Sequence, residues 1–202
     1  MRLGIRLVLL IIAPLAVGGA WAQSNIRTET IKPPSAGAPA KPGRFTPSST
    51  PPEIVTDLSR LPVPVARMRE RILGAARSGD LQKLAALMNE SKVMFSFTDE
   101  KDPVAFWKAN YPDSEGVEVL SILITVLEAG FVRVDEGTPQ DIYVWPYFVA
   151  MSLRALTAPQ KVELFRIITG ADYKDMTAFG AYSFYRLGIT PNGTWQFFVT
   201  GD

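Results

Sequence analysis

A chain of 202 residues with 47% hydrophobic and 20% charged residues is long enough for one folded domain with extensions. Its 21 basic and 20 acidic residues give a net charge of +1, which provides no general attraction to nucleic acid. Cysteine and histidine are both absent, so disulfides, thiolate and imidazole metal sites, and the Ser-His-Asp and Cys-His catalytic groups are excluded.

Residues 1–22 are predicted to be a signal peptide. Two arginines in the first six residues provide a positive start, and Leu7–Val17 is an uncharged apolar run. Ala20 and Ala22 then supply the small residues that precede a cleavage site. Cleavage after Ala22 would place the protein in the periplasm or outside the cell. The alternative is that this segment is retained as a membrane anchor.

Residues 23–60 are predicted to form a disordered, proline-rich linker. Nine of the 16 prolines lie between Pro33 and Pro64, and Ser, Thr, Ala and Gly make up most of the remainder. Such a composition buries too little apolar surface to offset the entropy that is lost on ordering. A single folded domain is therefore expected over residues 61–202.

Two amphipathic helices are predicted at the start of this domain. Apolar residues repeat at helical spacing from Val65 to Ala76, Gly79 ends this helix, and Asp80 is placed to cap the next one. The helical pair resembles those of ankyrin repeats and the opening of α+β domains in the nuclear-transport-factor-2-like superfamily. Only one copy is present, so an array of repeats is not expected.

A short strand and two further helices follow. Alternate residues of Val93–Phe97 are apolar, which is typical of a strand. Asp102 before Pro103 predicts the start of a third helix. The segment Glu115–Ala129 is polar along one narrow stripe and apolar elsewhere, so this fourth helix is expected at the centre of the fold.

The second half of the domain contains two predicted strand pairs with two helices between them. Two strands, Phe131–Asp135 and Asp141–Phe148, are predicted around a turn. Two helices come next, and the chain closes with strands near Tyr182–Ile189 and Thr194–Thr200. Because helices and antiparallel hairpins occur in separate runs, the predicted fold class is α+β, with helices packed on a small antiparallel sheet and a C-terminal β-hairpin.

The closing hairpin has a predicted register. A three-residue loop, Pro191–Gly193, suits a type I turn followed by a left-handed glycine. This loop places three large apolar pairs on one face, namely Ile189 with Trp195, Leu187 with Phe197, and Tyr185 with Val199. We expect that face to pack on the fourth helix.

Tyr143, Trp145 and Tyr147 are the candidate binding residues. They recur at every second position, so they share one face of the predicted strand, and apolar residues fill the other face. A strand with two apolar faces normally lies between two layers of structure. The alternative is an aromatic shelf for a sugar ring or an extended peptide. Pro146 predicts that this strand lies at a sheet edge or bends, and an edge could capture a partner by strand addition.

No catalytic residue, cofactor or metal site is assigned. Glycine-rich phosphate loops and the nucleophile elbow are absent. Without histidine, a Ser–Lys dyad or a carboxylate pair remains open. Asp135 and Asp141 could face each other at the mouth of a hairpin, although acidic residues at a turn usually have a structural role. Glu118 and Glu128 share the polar stripe but lie ~15 Å apart along the helix axis, too far for a glycosidase pair.

The stretch Tyr143–Phe148, the closing segment Gly193–Asp202, and the order of signal and proline-rich segment resemble a group of small exported proteins of alphaproteobacteria. The resemblance implies export and a single folded domain, and no particular reaction or ligand. We therefore expect a cell-envelope protein that is a non-enzymatic binding or structural module. Its expected partner is peptidoglycan or an envelope protein, with no nucleic acid and no stable membrane span after cleavage. The alternative is a histidine-free, carboxylate-dependent hydrolase acting on envelope glycan or peptide.

Overall fold

A computed structural model of the chain describes residues 53–201. The predicted signal peptide, residues 1–22, and residues 23–52 of the predicted linker lie outside this described part. Residues 53–201 form helices packed with a four-stranded antiparallel sheet that ends in a C-terminal hairpin, which confirms the predicted α+β class. Among these residues, no helix is long and apolar enough to cross a membrane.

The strands are neighbours in the sheet in the same order as in the chain, and each is antiparallel to the next. In chain order the elements are α1 Val63–Arg77, α2 Leu81–Ser91, α3 Pro103–Asn110, α4 Glu118–Glu128, β1 Val132–Val134, β2 Ile142–Trp145, α5 Ala158–Leu164, α6 Gly170–Phe179, β3 Arg186–Ile189 and β4 Trp195–Val199.

Side chains that cap helices fix several of these boundaries. The carboxylates of Asp80 and Asp102 each accept a 2.9 Å hydrogen bond from the backbone N–H of the second residue of α2 and α3, respectively. These bonds satisfy donors that have no partner inside the helix, as expected from the sequence. Thr157 and Gln160 form a capping box at the start of α5, and Thr169 and Asp172 form a second one at the start of α6.

The sheet is apolar on both faces, so it lies between two helical layers. One face carries Trp145, Leu187 and Trp195 and packs in one cluster with residues of α1–α4. The other face carries Val132 and Val144 and packs with α5, α6 and the segment between β2 and α5. The polar stripe of α4 is directed outward and its remaining surface is largely buried, so the expectation of a central helix is confirmed.

A buried arginine joins α1 to the end of α4. Arg69 is 7% exposed, and its Nε and Nη2 donate hydrogen bonds of 3.2 and 2.8 Å to the carbonyl oxygen of Leu127. Carbonyls in the last turn of a helix have no partner within it, and a cation there also interacts favourably with the helix dipole. Burial lowers the pKa of Arg69, and the neighbouring Glu70 carboxylate opposes that effect.

The closing hairpin has the predicted loop. The N–H of Gly193 donates a 2.8 Å hydrogen bond to the carbonyl of Thr190, and Gly193 has a φ of +89°. A residue with a side chain adopts such a positive φ only at a cost, which is why glycine stands here. Ile189 lies opposite Trp195, as predicted from the loop length.

Beyond this pair the predicted register is wrong. A bulge displaces the pairing by one residue, so the pairs are Gly188–Phe197, Leu187–Phe198 and Arg186–Val199 in place of Leu187–Phe197 and Tyr185–Val199. The extra residue lets Trp195 and Phe198 both face the α1–α4 layer, where each is fully buried. Phe197 turns to the opposite face of the sheet.

The packed chain starts before Leu61, the first residue of the predicted domain. Val55 exchanges two backbone hydrogen bonds with Phe131, of 3.0 and 2.9 Å, and is only 8% exposed. A 3-10 turn at Leu58–Arg60, capped by Asp57, then leads into α1. The end of the predicted linker therefore contributes to the sheet and to the core.

Candidate functional site

The three aromatic residues singled out in the sequence are all buried. Tyr143, Trp145 and Tyr147 are 5%, 0% and 1% exposed. Tyr143 and Trp145 pack against Phe131, with ring centroids 6.0 and 5.2 Å away, inside the α1–α4 cluster. The three residues form no exposed shelf, and a strand between two layers is the description that fits Tyr143 and Trp145.

Tyr147 does not share a face with the other two. Strand β2 ends at Trp145, a cis peptide bond links it to Pro146, and Tyr147 packs in the α5–α6 cluster. Its hydroxyl donates a 2.9 Å hydrogen bond to Oε2 of Glu163, whose Oε1 accepts a bond from the N–H of Gly130. Burial raises the pKa of Tyr147, and the Glu163 carboxylate adds to the shift. This contact attaches α5 to the start of β1.

The position of β2 also corrects the expectation of an edge strand there. It lies between β1 and β3 and is paired on both sides. The other possibility raised by Pro146, that the chain bends, is the one observed. A partner peptide therefore has no free edge at Tyr143–Trp145 to which it could add.

The acidic residues at the mouth of the β1–β2 hairpin have structural partners. Asp141 accepts hydrogen bonds from Nε and Nη2 of Arg133 at 2.9 and 2.6 Å, and from the N–H of Gly137 at 3.0 Å. The Arg133 guanidinium holds the pKa of the Asp141 carboxyl below its ordinary value. Asp135 has a φ of +53° and accepts turn bonds through its carbonyl. These contacts fit turn and hairpin roles.

An open groove lies between the end of α2 and the segment that leads to α3, with a volume of about 350 Å³. Met88 and Val93 are buried and supply apolar surface, whereas most of the polar lining residues are exposed. The lining residues are Met88, Asn89, Lys92, Val93, Met94, Phe95, Ser96, Thr98, Glu100 and Lys101.

The segment along the groove is held on two sides. Met94 pairs with β4 in the parallel sense: its N–H donates to Gln196 at 3.0 Å, and its carbonyl accepts from Phe198 at 2.8 Å. The ring of Phe95 packs against Phe106 and against Trp107 of α3. Sheet and helix therefore fix this backbone, although only one residue of the predicted strand Val93–Phe97 forms a bridge.

The backbone of Phe95 is unpaired on the side away from β4. The N–H and C=O of Met94 both face β4, and successive residues of an extended chain direct these groups to opposite sides. Those of Phe95 therefore point away from β4. Neither group has a hydrogen bond to another residue within 53–201. Phe95 thus presents one unpaired N–H and C=O beside the groove, whereas the N–H of Val93, two residues earlier, is bonded to the carbonyl of Met88 at the end of α2.

The charges along the groove are unbalanced. Oε1 of Glu100 accepts backbone hydrogen bonds from Lys101 and Asp102, at 2.7 and 2.8 Å. Lys92 and Lys101 form no ion pair with any described residue. Two lysines and one glutamate thus line the groove, in a domain whose residues 53–201 contain 18 acidic and 15 basic side chains.

Comparison with protein-family models, with curated proteins and with solved structures found no match. The resemblance to exported alphaproteobacterial proteins therefore stays a prediction, and the groove and its open edge provide the basis for a functional proposal. The alternation of Val93–Phe97 was the sequence signal for this segment. Nothing in the sequence indicates which of its two edges is covered by β4.

Proposed function

We propose that the protein is an exported cell-envelope module that binds another envelope protein in the groove between α2 and α3, without catalytic activity of its own. The single observation that carries this proposal is the unpaired backbone of Phe95 beside an open, polar groove. Unpaired strand edges are a recurring means by which one protein binds an extended segment of another.

Export is the part of the proposal that rests on sequence. The positive start, the apolar run and the small residues at Ala20 and Ala22 favour cleavage and a periplasmic or secreted location. Amino-terminal sequencing of the protein recovered from periplasm or medium should find Gln23 as the first residue. Recovery of a species that retains residues 1–22 in the membrane fraction would contradict this part.

The groove favours binding over hydrolysis. A carboxylate hydrolase needs two carboxyl groups about 5–10 Å apart on either side of the scissile bond. Glu100 is the one carboxylate that lines the groove, and two backbone N–H groups already bond to its Oε1. Asp141, a candidate from the sequence, is engaged by Arg133. The hydrolase alternative gains no support from these contacts and stays a prediction.

Site-specific photo-crosslinking in intact cells tests the proposal. A photoreactive phenylalanine derivative replaces Ser96, which lines the groove, or Lys174, which is exposed on α6. We expect a discrete adduct with an envelope protein from position 96 and none from position 174. Absence of an adduct at 96, or identical adducts at both positions, would contradict a binding role for the groove. Co-sedimentation with isolated sacculi, equally strong when the groove is altered, would indicate peptidoglycan as the partner through another surface.

A further inference from the structure

We infer that the groove binds an extended, acidic peptide segment, which adds as a strand to the free edge at Phe95 and places its carboxylates against Lys92 and Lys101. This inference rests on the proposed function, because it names the occupant of the same groove. It specifies both the mode of binding and the charge of the segment.

The geometry of the backbone points to strand addition. Met94 already uses its N–H and C=O to continue the sheet beyond β4, so the next residue presents the same two groups on the far side. At the opposite edge of the sheet, Val55 forms hydrogen bonds with the backbone N–H and C=O of Phe131. A peptide at Phe95 would thus repeat a pairing that the chain itself makes at its other edge.

The charges indicate an acidic segment. Lys92 and Lys101 have no carboxylate partner among residues 53–201. Both line the groove, Lys92 directly after α2 and Lys101 two residues before α3. Successive side chains of an added strand point to opposite faces, so every second residue of the peptide lies on the same face. Acidic residues at those positions would pair with both lysines.

A bare glycan fits the groove less well. Sugar rings bind by stacking on free aromatic faces. Phe95 is the aromatic residue that lines the groove, and its ring already packs against Phe106 and Trp107 at centroid distances of 5.6 and 6.0 Å.

Fluorescence anisotropy with synthetic peptides tests the inference on the whole mature protein. The probe is a labelled hexapeptide that alternates valine with glutamate, and its counterpart alternates valine with lysine. We expect the glutamate peptide to bind roughly tenfold more tightly at low salt, with the preference reduced as salt is added. The amide N–H groups of a strand point alternately to its two edges. N-methylation of the set that points toward Phe95 should abolish binding, and N-methylation of the other set should leave binding unchanged.

Matched variants assign the charge effect to the groove. Lys92→Gln combined with Lys101→Gln should weaken the glutamate peptide by roughly tenfold. Lys83→Gln combined with Lys174→Gln removes the same charge from exposed positions outside the groove lining and should leave the affinity unchanged. Equal affinity for the two peptides, indifference to N-methylation in both frames, or no binding at all would overturn the inference.

Two further outcomes separate this inference from the proposed function. A crosslink from position 96 combined with failure of the peptide test would leave the groove as a binding site and remove the strand-addition mode. Failure of the crosslink would remove the proposed function itself, whatever the result with the peptides.

Analytical ultracentrifugation tests whether a second copy of the chain binds at this edge. A concentration-dependent dimer that becomes stronger in the double lysine variant would assign the edge to a second copy and would also overturn the inference.

Discussion

The ring of Phe197 lies across Gly188 on the neighbouring strand, where a side chain has no room. A Cβ atom at Gly188 would lie 2.5 Å from Cζ of Phe197 and 2.7 Å from Cδ1 of Ile142. The bulge in β4 produces this arrangement, because it turns Phe197 to the α5–α6 side, where the ring covers the bare backbone of β3.

Gly188→Ala should therefore destabilise the domain by about 1–3 kcal/mol, the usual cost of forcing extra atoms into a packed site. Urea unfolding measures the effect. In a Phe197→Ala background the same substitution should cost clearly less, because the ring that meets the new methyl group is gone. Gly74→Ala in α1, where nothing lies within 4 Å, should stabilise the domain by about 0.5–1 kcal/mol. An equal cost of Gly188→Ala in both backgrounds would show that the ring is not responsible.

Trp195→Ala should destabilise the domain by about 3–5 kcal/mol, as for other buried aromatic residues. Trp195 is fully buried between β4 and the α1–α4 layer, and its Nε1 donates a 3.0 Å hydrogen bond to the carbonyl of Phe197. The measurement is the free energy of unfolding in urea. Gln196→Ala, at the exposed neighbouring position, should change it by less than about 0.5 kcal/mol. An unchanged melting temperature for Trp195→Ala would contradict the packing described.

The ion pair of Asp141 with Arg133 should contribute to stability at neutral pH and not in strong acid. The pKa of Asp141 in the folded state lies below its ordinary value of 3.8, first because of the hydrogen bonds from Arg133. Its contribution is therefore complete above 3.8 and is lost as the pH falls from there through the lower folded-state pKa.

Asp141→Asn should then lower the free energy of unfolding by up to about 1 kcal/mol at pH 7 and by progressively less as the pH falls below 3.8. Unfolding curves at a series of pH values provide the test. Asp175→Asn, at an exposed position on α6, serves as the control and should show no comparable change. A difference between wild type and Asp141→Asn that persists at low pH would mean that the carboxylate charge is not the cause.

A protein that begins at Glu53 should be more stable than one that begins at Leu61, by about 2 kcal/mol. The shorter protein loses the burial of Val55 and its two hydrogen bonds to Phe131. Val55→Ala in the full chain should reproduce about 1 kcal/mol of this loss. If the two shortened proteins unfold at the same urea concentration, the strand pairing at Phe131 does not contribute.

Local chemistry made much of the fold predictable. Asp80, Asp102 and Thr157 lie directly before the helices that they cap, so a few adjacent residues determine each start. The loop of the closing hairpin was predictable for the same reason, since proline and glycine restrict the turn. The bulge was not, because it depends on whether Phe197 or Phe198 fits better against the α1–α4 layer, a matter of tertiary packing.

The candidate site was harder to predict, because strand order is a long-range property. The alternation of side chains identifies Tyr143 and Trp145 as strand residues. The same pattern occurs in a central strand and in an edge strand, so it does not distinguish them. The pairing of β2 with β3, more than 40 residues later in the chain, buries them. Phe95 carried the same pattern, and only the distant β4 determines that one of its edges is covered and the other open.

The contact between Arg69 and the carbonyl of Leu127 has a consequence for the motions of the domain. The last turn of a helix ordinarily frays, so its amides exchange with solvent without unfolding of the rest. In α4 that turn cannot open unless a buried guanidinium loses its acceptor and α1 separates from α4. Amide protons of the last turn of α4 should therefore exchange as slowly as those at its centre, which makes α1 and α4 one cooperative unit.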